Sequence, residues 1–387
     1  MPRRNVIPVA SAARATNVPS RALGRYDRHL EATVDWLGRS IARGRGGSAA
    51  YWAPGPGWSR PYPETTGYLI PTLLELDRRL PGRGLAETAV RLGDWLLGIQ
   101  LPMGAWQAGL YPARAPARAS VFNTGQVLKG LVALARTTDE PRWLTAAQRG
   151  ATWLAEGVDE SGSWSGADYR STGTPSYYTE VTWPMLEVAR LTDDARIRAA
   201  AERVLRRIVE RRRADGSFAG WSFADGEPAF THTIAYTLRG LLESALAVDR
   251  WDEYAVPALD ALERLRRRAE IARGRLAGAF DDRWAPVGRF TCLTGNVQTA
   301  LCLLVWERRD PDLRLVNAAA KLVDLVCASQ TLSTPLPGVR GAVAGSLPLW
   351  GRYMRFRYPN WAAKYHCEAL LRLTARLRHE WEPRPCA

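Results

Sequence analysis

The sequence predicts an all-α protein, with six tandem helical hairpins closed into an (α/α)6 toroid of inner and outer helix rings. Three observations carry this expectation. A signature of Gly, a small residue and an aromatic recurs along the chain. Each copy follows a helix with one apolar stripe. Each precedes a second helix that is apolar on most sides. A helix apolar all round must be buried, whereas its amphipathic partner can face water. Six such pairs bury their faces only by stacking on neighbours, and closing the ring leaves no unprotected end.

The first outer helix is expected over Tyr26–Ala42, and its inner partner opens at Tyr62-Pro63-Glu64-Thr65-Thr66-Gly67-Tyr68. The second outer helix carries Ala89, Leu92, Trp95, Leu96 and Ile99 at helical spacing and ends on Gly104-Ala105-Trp106; its partner opens at Phe122-Asn123-Thr124-Gly125-Gln126. Gly162-Ser163-Trp164 leads to Tyr177-Tyr178-Thr179-Glu180-Val181-Thr182-Trp183, and Gly216-Ser217-Phe218 to Phe230-Thr231-His232-Thr233. Gly278-Ala279-Phe280 precedes Thr291-Cys292-Leu293-Thr294-Gly295-Asn296-Val297-Gln298. The sixth signature is degenerate, around Gly341 to Ser346, before Asn360-Trp361-Ala362-Ala363-Lys364-Tyr365-His366. Gly permits the tight turn, and the aromatic plugs the space beneath the loop. No run of alternating β-branched residues bounded by turns supports an α/β alternative.

At 387 residues the chain exceeds the usual single core, which suits one repetitive domain over 26–387 behind a disordered basic leader at 1–25. The leader lacks an apolar core and does not read as a secretory signal, and no stretch is apolar enough to span a bilayer. Five Cys without CxxC spacing (Cys292, Cys302, Cys327, Cys367, Cys386) read as reduced thiols, which places the protein in the cytoplasm. The net charge of +14 lies largely on helix backs such as Arg203, Arg206, Arg207 and Arg211, a solvated face that still draws anions. Nucleic acid is not expected as a partner, since no zinc knuckle, RNP-like motif or long basic tail accompanies the charge. Oligomeric state is not legible. Sixteen Trp against seven Phe suit carbohydrate stacking or bulky helix packing.

In the toroid every inner helix starts at the same end, so six N-termini with unpaired N–H groups and partial positive charge converge on one cavity. The inner-helix openings are therefore the candidate site. Among them, Tyr178, His232, Glu180 and Glu64 are the candidate catalytic groups, with His232 as general base or acid. Asn123, Gln126, Tyr177, Asn296, Gln298, Asn360, Trp361 and Lys364 are expected to bind substrate, joined by Asp282 from a loop. Arg340, Arg352 and Tyr353 crowd the loop before the last inner helix, and arginine there suits a carboxylate or pyrophosphate. Gly166-Ala167-Asp168-Tyr169-Arg170 reads as rim. Capping of helix starts accounts for several Thr and Asn residues without any function. A metal site would have to join Cys292 and His366 with Asp282 or Cys367; no recognised ligand spacing supports it, and neither metal nor cofactor is expected.

Gln100-Leu101-Pro102-Met103-Gly104-Ala105-Trp106 resembles the QxxxGxW repeat of the terpenoid cyclase and protein prenyltransferase toroids. The acidic DxDD motif of the cyclases has no counterpart, and Phe290 stands where the prenyltransferases carry the Asp before Cys292. Tyr62–Tyr68, Phe122–Gln126, Cys292–Asn296 and Tyr358-Pro359-Asn360-Trp361-Ala362 are similar to the VpsJ-like polysaccharide biosynthesis proteins. That resemblance implies a place in exopolysaccharide biosynthesis and kinship with six-hairpin glycosidases, uronate lyases and epimerases. The expectation is thus a glycan-processing enzyme acting on an anionic saccharide, free or lipid-linked, by lyase, epimerase or hydrolase chemistry. A prenyl-chain enzyme and a non-catalytic glycan-binding subunit are the alternatives.

Overall fold

A computed structural model describes residues 20–164 and 174–378. The expected rim segment Gly166–Arg170 and most of the leader lie outside the described residues. Six outer helices alternate with six inner ones. The outer set is α1 (Ser20–Arg43), α3 (Leu85–Gly98), α5 (Pro141–Glu156), α7 (Ala195–Glu210), α9 (Val256–Ile271) and α11 (Leu313–Ser329). The inner set is α2 (Pro63–Arg79), α4 (Val121–Thr137), α6 (Thr179–Thr192), α8 (Thr231–Val248), α10 (Leu293–Arg309) and α12 (Asn360–Leu377). Each inner helix packs on the next, and α12 packs on both α1 and α2, which closes the ring. The all-α toroid expected from the sequence is the fold observed.

The two rings follow from composition. In α7 the buried residues are Ile197, Ala200, Ala201, Val204, Leu205 and Ile208, one stripe at helical spacing, with arginines on the other face. In α10 nearly every residue from Leu293 to Val305 is buried, as an inner position requires. Inner helices approach closely where a side chain is absent: a Cβ on Gly67 would lie 2.5 Å from Val127 Cα.

Two sequence expectations need correction. First, α1 begins at Ser20 rather than near Tyr26, and Arg25 pairs with Asp324 of α11. Second, the fifth signature starts at Gly274, not Gly278. Gly104, Gly162 and Gly216 have φ of 100°, 75° and 81°, and each abuts the outer helix of the following hairpin. Gly274 shares that left-handed backbone (φ 85°) and that position against Lys321 of α11, whereas Gly278 instead packs against Phe290. Gly341 (φ 76°) repeats the arrangement against Ala32 of α1, completing the circle.

Short strands in the loops were not foreseen. β1 (Tyr51–Ala53) pairs with β2 (Gly57–Trp58) and also with β7 (Tyr358–Pro359), with Tyr51 opposite Pro359 and Trp52 opposite Tyr358. This stitches the first hairpin to the last. β3 (Ala229–Phe230) pairs with β4 (Ala279–Phe280), and β5 (Thr291–Cys292) with β6 (Ser346–Leu347), linking successive loops at the same end.

Candidate functional site

The inner-helix openings surround a cavity of about 450 Å³. Its wall is aromatic: Tyr62, Phe122, Tyr177, Phe223, Tyr236, Tyr353 and Trp361, with Met354, Glu64 and His232 completing it. Glu64 is the only carboxylate and His232 the only imidazole among these residues. They come from the starts of α2, α4 and α12, the turn before α6, the first two turns of α8 and two loops.

His232, the second residue of α8, is held on several sides. Its ring lies 4.3 Å from that of Tyr236, one turn along the same helix, and 5.1 Å from Tyr353. Nδ1 sits 2.7 Å from Oε1 of Gln298 on α10. With Oε1 turned to the ring and accepting, Nδ1 carries the hydrogen and Nε2 keeps a lone pair, while the amide's own Nε2 is buried without a partner among the described residues. Burial lowers the His232 pKa to about 4, which Gln298 only partly offsets. The ring is therefore a neutral, oriented base. Tyr353 is fixed by its neighbour, since Trp361 Nε1 donates to its hydroxyl at 2.8 Å.

Four of the inner helices, α2, α6, α8 and α12, start without a side-chain cap, whereas Ser120 caps α4 and Cys292 caps α10. The first amides of α8 and α12 already donate to Gly278 O and Ala50 O, so it is the helix dipoles that lend the cavity end partial positive character.

Of the expected residues, the cavity gathers Glu64, Tyr177, His232, Tyr353 and Trp361, with Gln298 behind His232. The others lie elsewhere for identifiable reasons. Tyr178 is buried behind the wall against Phe122, Trp164 and Tyr177. Asn123 is wholly buried and its amide donates to Gln107 O at 2.7 Å, tying a loop to α4. Gln126 donates to Glu180 O, and Asn296 to Gly274 O at 2.7 Å. Asn360 donates to Ser48 Oγ (3.0 Å) and Thr65 Oγ1 (2.9 Å), joining α12 to the first hairpin. These amides fasten the repeat instead of facing the cavity. Arg340 and Arg352 are exposed and outside the lining, and Asp282 is exposed beside Arg213 at 3.3 Å. The neighbouring Asp281 turns its own loop by accepting from Arg283 N and Ala285 N.

Glu180 and Lys364 lie deeper. Tyr68, Tyr236 and Tyr365 form a floor, with Tyr365 donating to the Tyr236 hydroxyl at 3.3 Å. Beneath it is a buried charged layer in which Glu180 pairs with Lys129, and Glu368 with Arg239 and Lys364. Burial opposes the Glu368 charge, yet Arg239 and Lys364 hold its carboxyl well below the usual range. Burial pushes Lys364 down to about 8 despite Glu368. A smaller cavity of about 170 Å³ opens below, at the C-terminal end of the inner helices.

Cys292 and His366 do not meet. Cys292 Sγ accepts from Gly295 N as the α10 cap, and His366 faces Cys327 of α11.

Tyr62 and Phe122 stand in the expected helix openings without an assigned role, and the lining residues outside those openings and not singled out from the sequence are Phe223, Tyr236 and Met354. Tyr236 had a readable signal, because a residue four after His232 shares its helix face. Phe223 and Met354 arrive from loops, where no periodicity points inward.

The whole chain resembles solved toroids. It aligns with an unsaturated glucuronyl hydrolase specific for heparin at TM-score 0.71 and 17% identity, over 92% of this chain and 98% of that one. A glucuronyl hydrolase from Bacillus sp. GL1, responsible for glycosaminoglycan degradation, gives 0.71 at 15% identity, over 93% and 100%. The cellobiose 2-epimerase of Bacillus thermoamylovorans gives 0.72 at 12%, over 92% and 100%. The chain has the (α/α)6 toroid fold. At such identities the likeness speaks for architecture alone. No family model and no curated protein matches the chain, so neither resemblance drawn from the sequence motifs gains support there.

Proposed function

We propose that this chain is a carbohydrate-active enzyme that binds an acidic saccharide in the aromatic cavity and moves a proton with His232 and Glu64. The observation that carries the reading is the pairing of one carboxylate with one neutral, oriented imidazole in a single aromatic wall. Aromatic faces stack on sugar rings, and Tyr hydroxyls bond their hydroxyl groups. The substrate carboxylate is assigned to the uncapped helix starts, since Arg340 and Arg352 stand away from the lining. His232 Nε2 takes the proton next to that carboxylate, and the helix N-termini stabilise the enolate-like charge. Glu64 serves as the second acid or base.

This chemistry is epimerase or lyase in type. Hydrolysis by two carboxylates needs a second acid, whereas the lining residues described include one carboxylate, Glu64. The similar solved structures are named as saccharide hydrolases and an epimerase, which agrees with a sugar-processing role. Placement in exopolysaccharide assembly and in the cytoplasm rests on the sequence segments and cysteine usage alone. The aromatic wall also favours a second reading, a prenyl-chain enzyme, because aromatic faces stabilise carbocations as well.

Proton NMR in D2O with a panel of uronate-containing glycans tests the proposal. Deuterium entering the carbon beside the carboxylate identifies an epimerase, and a new vinyl proton a lyase. New reducing ends without either identify a hydrolase. His232→Gln and Glu64→Gln are each expected to lower kcat/KM by about 100-fold or more. Full activity in the double variant sinks the assignment. Turnover of a prenyl diphosphate with none of any glycan selects the second reading.

A further inference from the structure

Where the two ends of the chain meet, α1, α11 and α12 bring together three side chains that the cavity does not use. His29, Cys327 and His366 each offer a ligand atom, and these atoms all lie within 4.8 Å of one another. All three residues are buried, His366 completely and His29 with 8% exposure at the solvent edge. Cys327 Sγ is 3.9 Å from His366 Nε2.

The surroundings orient His29 as a metal ligand requires. His29 Nδ1 sits 2.6 Å from Gln330 Oε1, so it carries the hydrogen and leaves Nε2 with a lone pair. Gln330 cannot turn over, because its Nε2 donates to Thr33 Oγ1 at 2.8 Å and Gly341 O at 2.7 Å. His366 Nδ1 is buried with no partner among the described residues, so that ring has unused bonding capacity. A thiol-to-imidazole hydrogen bond accounts for Cys327 and His366. It does not account for His29 lying within 4.8 Å of both.

We propose that His29, Cys327 and His366 bind one d10 cation, Zn2+ or Cu+. On binding, the Cys327 thiol releases its proton to solvent and Sγ bonds as thiolate, while both imidazoles bond as neutral lone-pair donors. One sulfur and two nitrogens with no protein oxygen select against Mg2+ and Ca2+. Three protein ligands complete a trigonal Cu+ site or leave one position of a tetrahedral Zn2+ to water. The bound ion ties the first outer helix to the last hairpin, so it stabilises the seam of the ring.

The test uses the full chain stripped with chelator, then titrated with Zn2+ and, separately, with Cu+ under reductant. One equivalent of one ion is expected, with a rise in Tm. X-ray absorption at that metal's edge should show one sulfur and two nitrogen neighbours. Cys327→Ser should weaken affinity by about 100-fold or more, and Gln330→Leu by about 10- to 100-fold. Cys292→Ser should leave metal affinity and stoichiometry unchanged. Failure of both ions to bind stoichiometrically overturns the proposal, as does an edge spectrum without sulfur, which is read on the wild-type chain whether or not the variants fold.

Discussion

His232 shows how one residue's surroundings set both chemistry and stability. Its folded pKa of about 4 lies below the usual histidine value, so between those two values the unfolded chain binds a proton that the folded chain refuses. Stability from this group is therefore complete above the unfolded value and is lost as pH falls toward 4. Lowering the pH from neutral to near 5 should cost roughly 2 kcal/mol through His232 alone. Urea titrations at both pH values check this: His232→Gln should shrink the loss by that amount, and an unchanged loss would refute it. The same low pKa predicts an acid limb of kcat/KM near pH 4. The residue type and its helix-start position were legible in the sequence. The hydrogen bond that fixes its tautomer was not, since Gln298 lies on the next inner helix.

At the scale of elements, the Gly–small–aromatic signature explains itself as structure. Gln100 Nε2 donates to Gly104 O at 2.8 Å and to Ala146 O at 3.0 Å, and Trp106 Nε1 donates to Leu96 O at 2.8 Å. The motif thus ends an outer helix, bonds one of its last carbonyls and ties it to the next hairpin. Gly104 combines a left-handed backbone with a neighbour, Arg149 O, only 2.6 Å from where a Cβ would sit. Gly104→Ala is expected to cost about 2 kcal/mol or more, and Trp106→Ala about 3–5 kcal/mol, both read as shifts in urea midpoint. Neutral behaviour of either would mean the signature is ornamental. The slip from Gly274 to Gly278 has a plain cause. At the fifth copy the aromatic is replaced by Leu276, and a fortuitous Gly-Ala-Phe follows four residues later.

For the whole molecule, the barrel interior is layered: an aromatic cavity, a tyrosine floor and a charged layer. Removing one charge from a buried network costs more than the network contributes, because its partners stay desolvated. Glu368→Gln leaves Arg239 and Lys364 facing each other and should destabilise the fold by roughly 3–5 kcal/mol in urea unfolding. Little change would show that water reaches this layer through the lower cavity. The charged layer also explains why Glu180 and Lys364 look like site residues in the sequence. Both lie in helix openings, but each points one layer below the cavity.

By itself the sequence determined the repeat, the two helix rings, the closed toroid and the end of the barrel at which the cavity opens. These follow from local periodicity and from the need to bury apolar faces, which each hairpin carries in its own residues. Only the tertiary structure decided which polar residues face the cavity. Asn123, Asn296 and Asn360 have the same composition and spacing as a binding group, yet Asn123 and Asn296 satisfy loop carbonyls of their own hairpins and Asn360 bonds hydroxyls of the first hairpin. The meeting of His29 with Cys327 and His366 was equally beyond reach, because it joins residues roughly three hundred positions apart that only ring closure brings together.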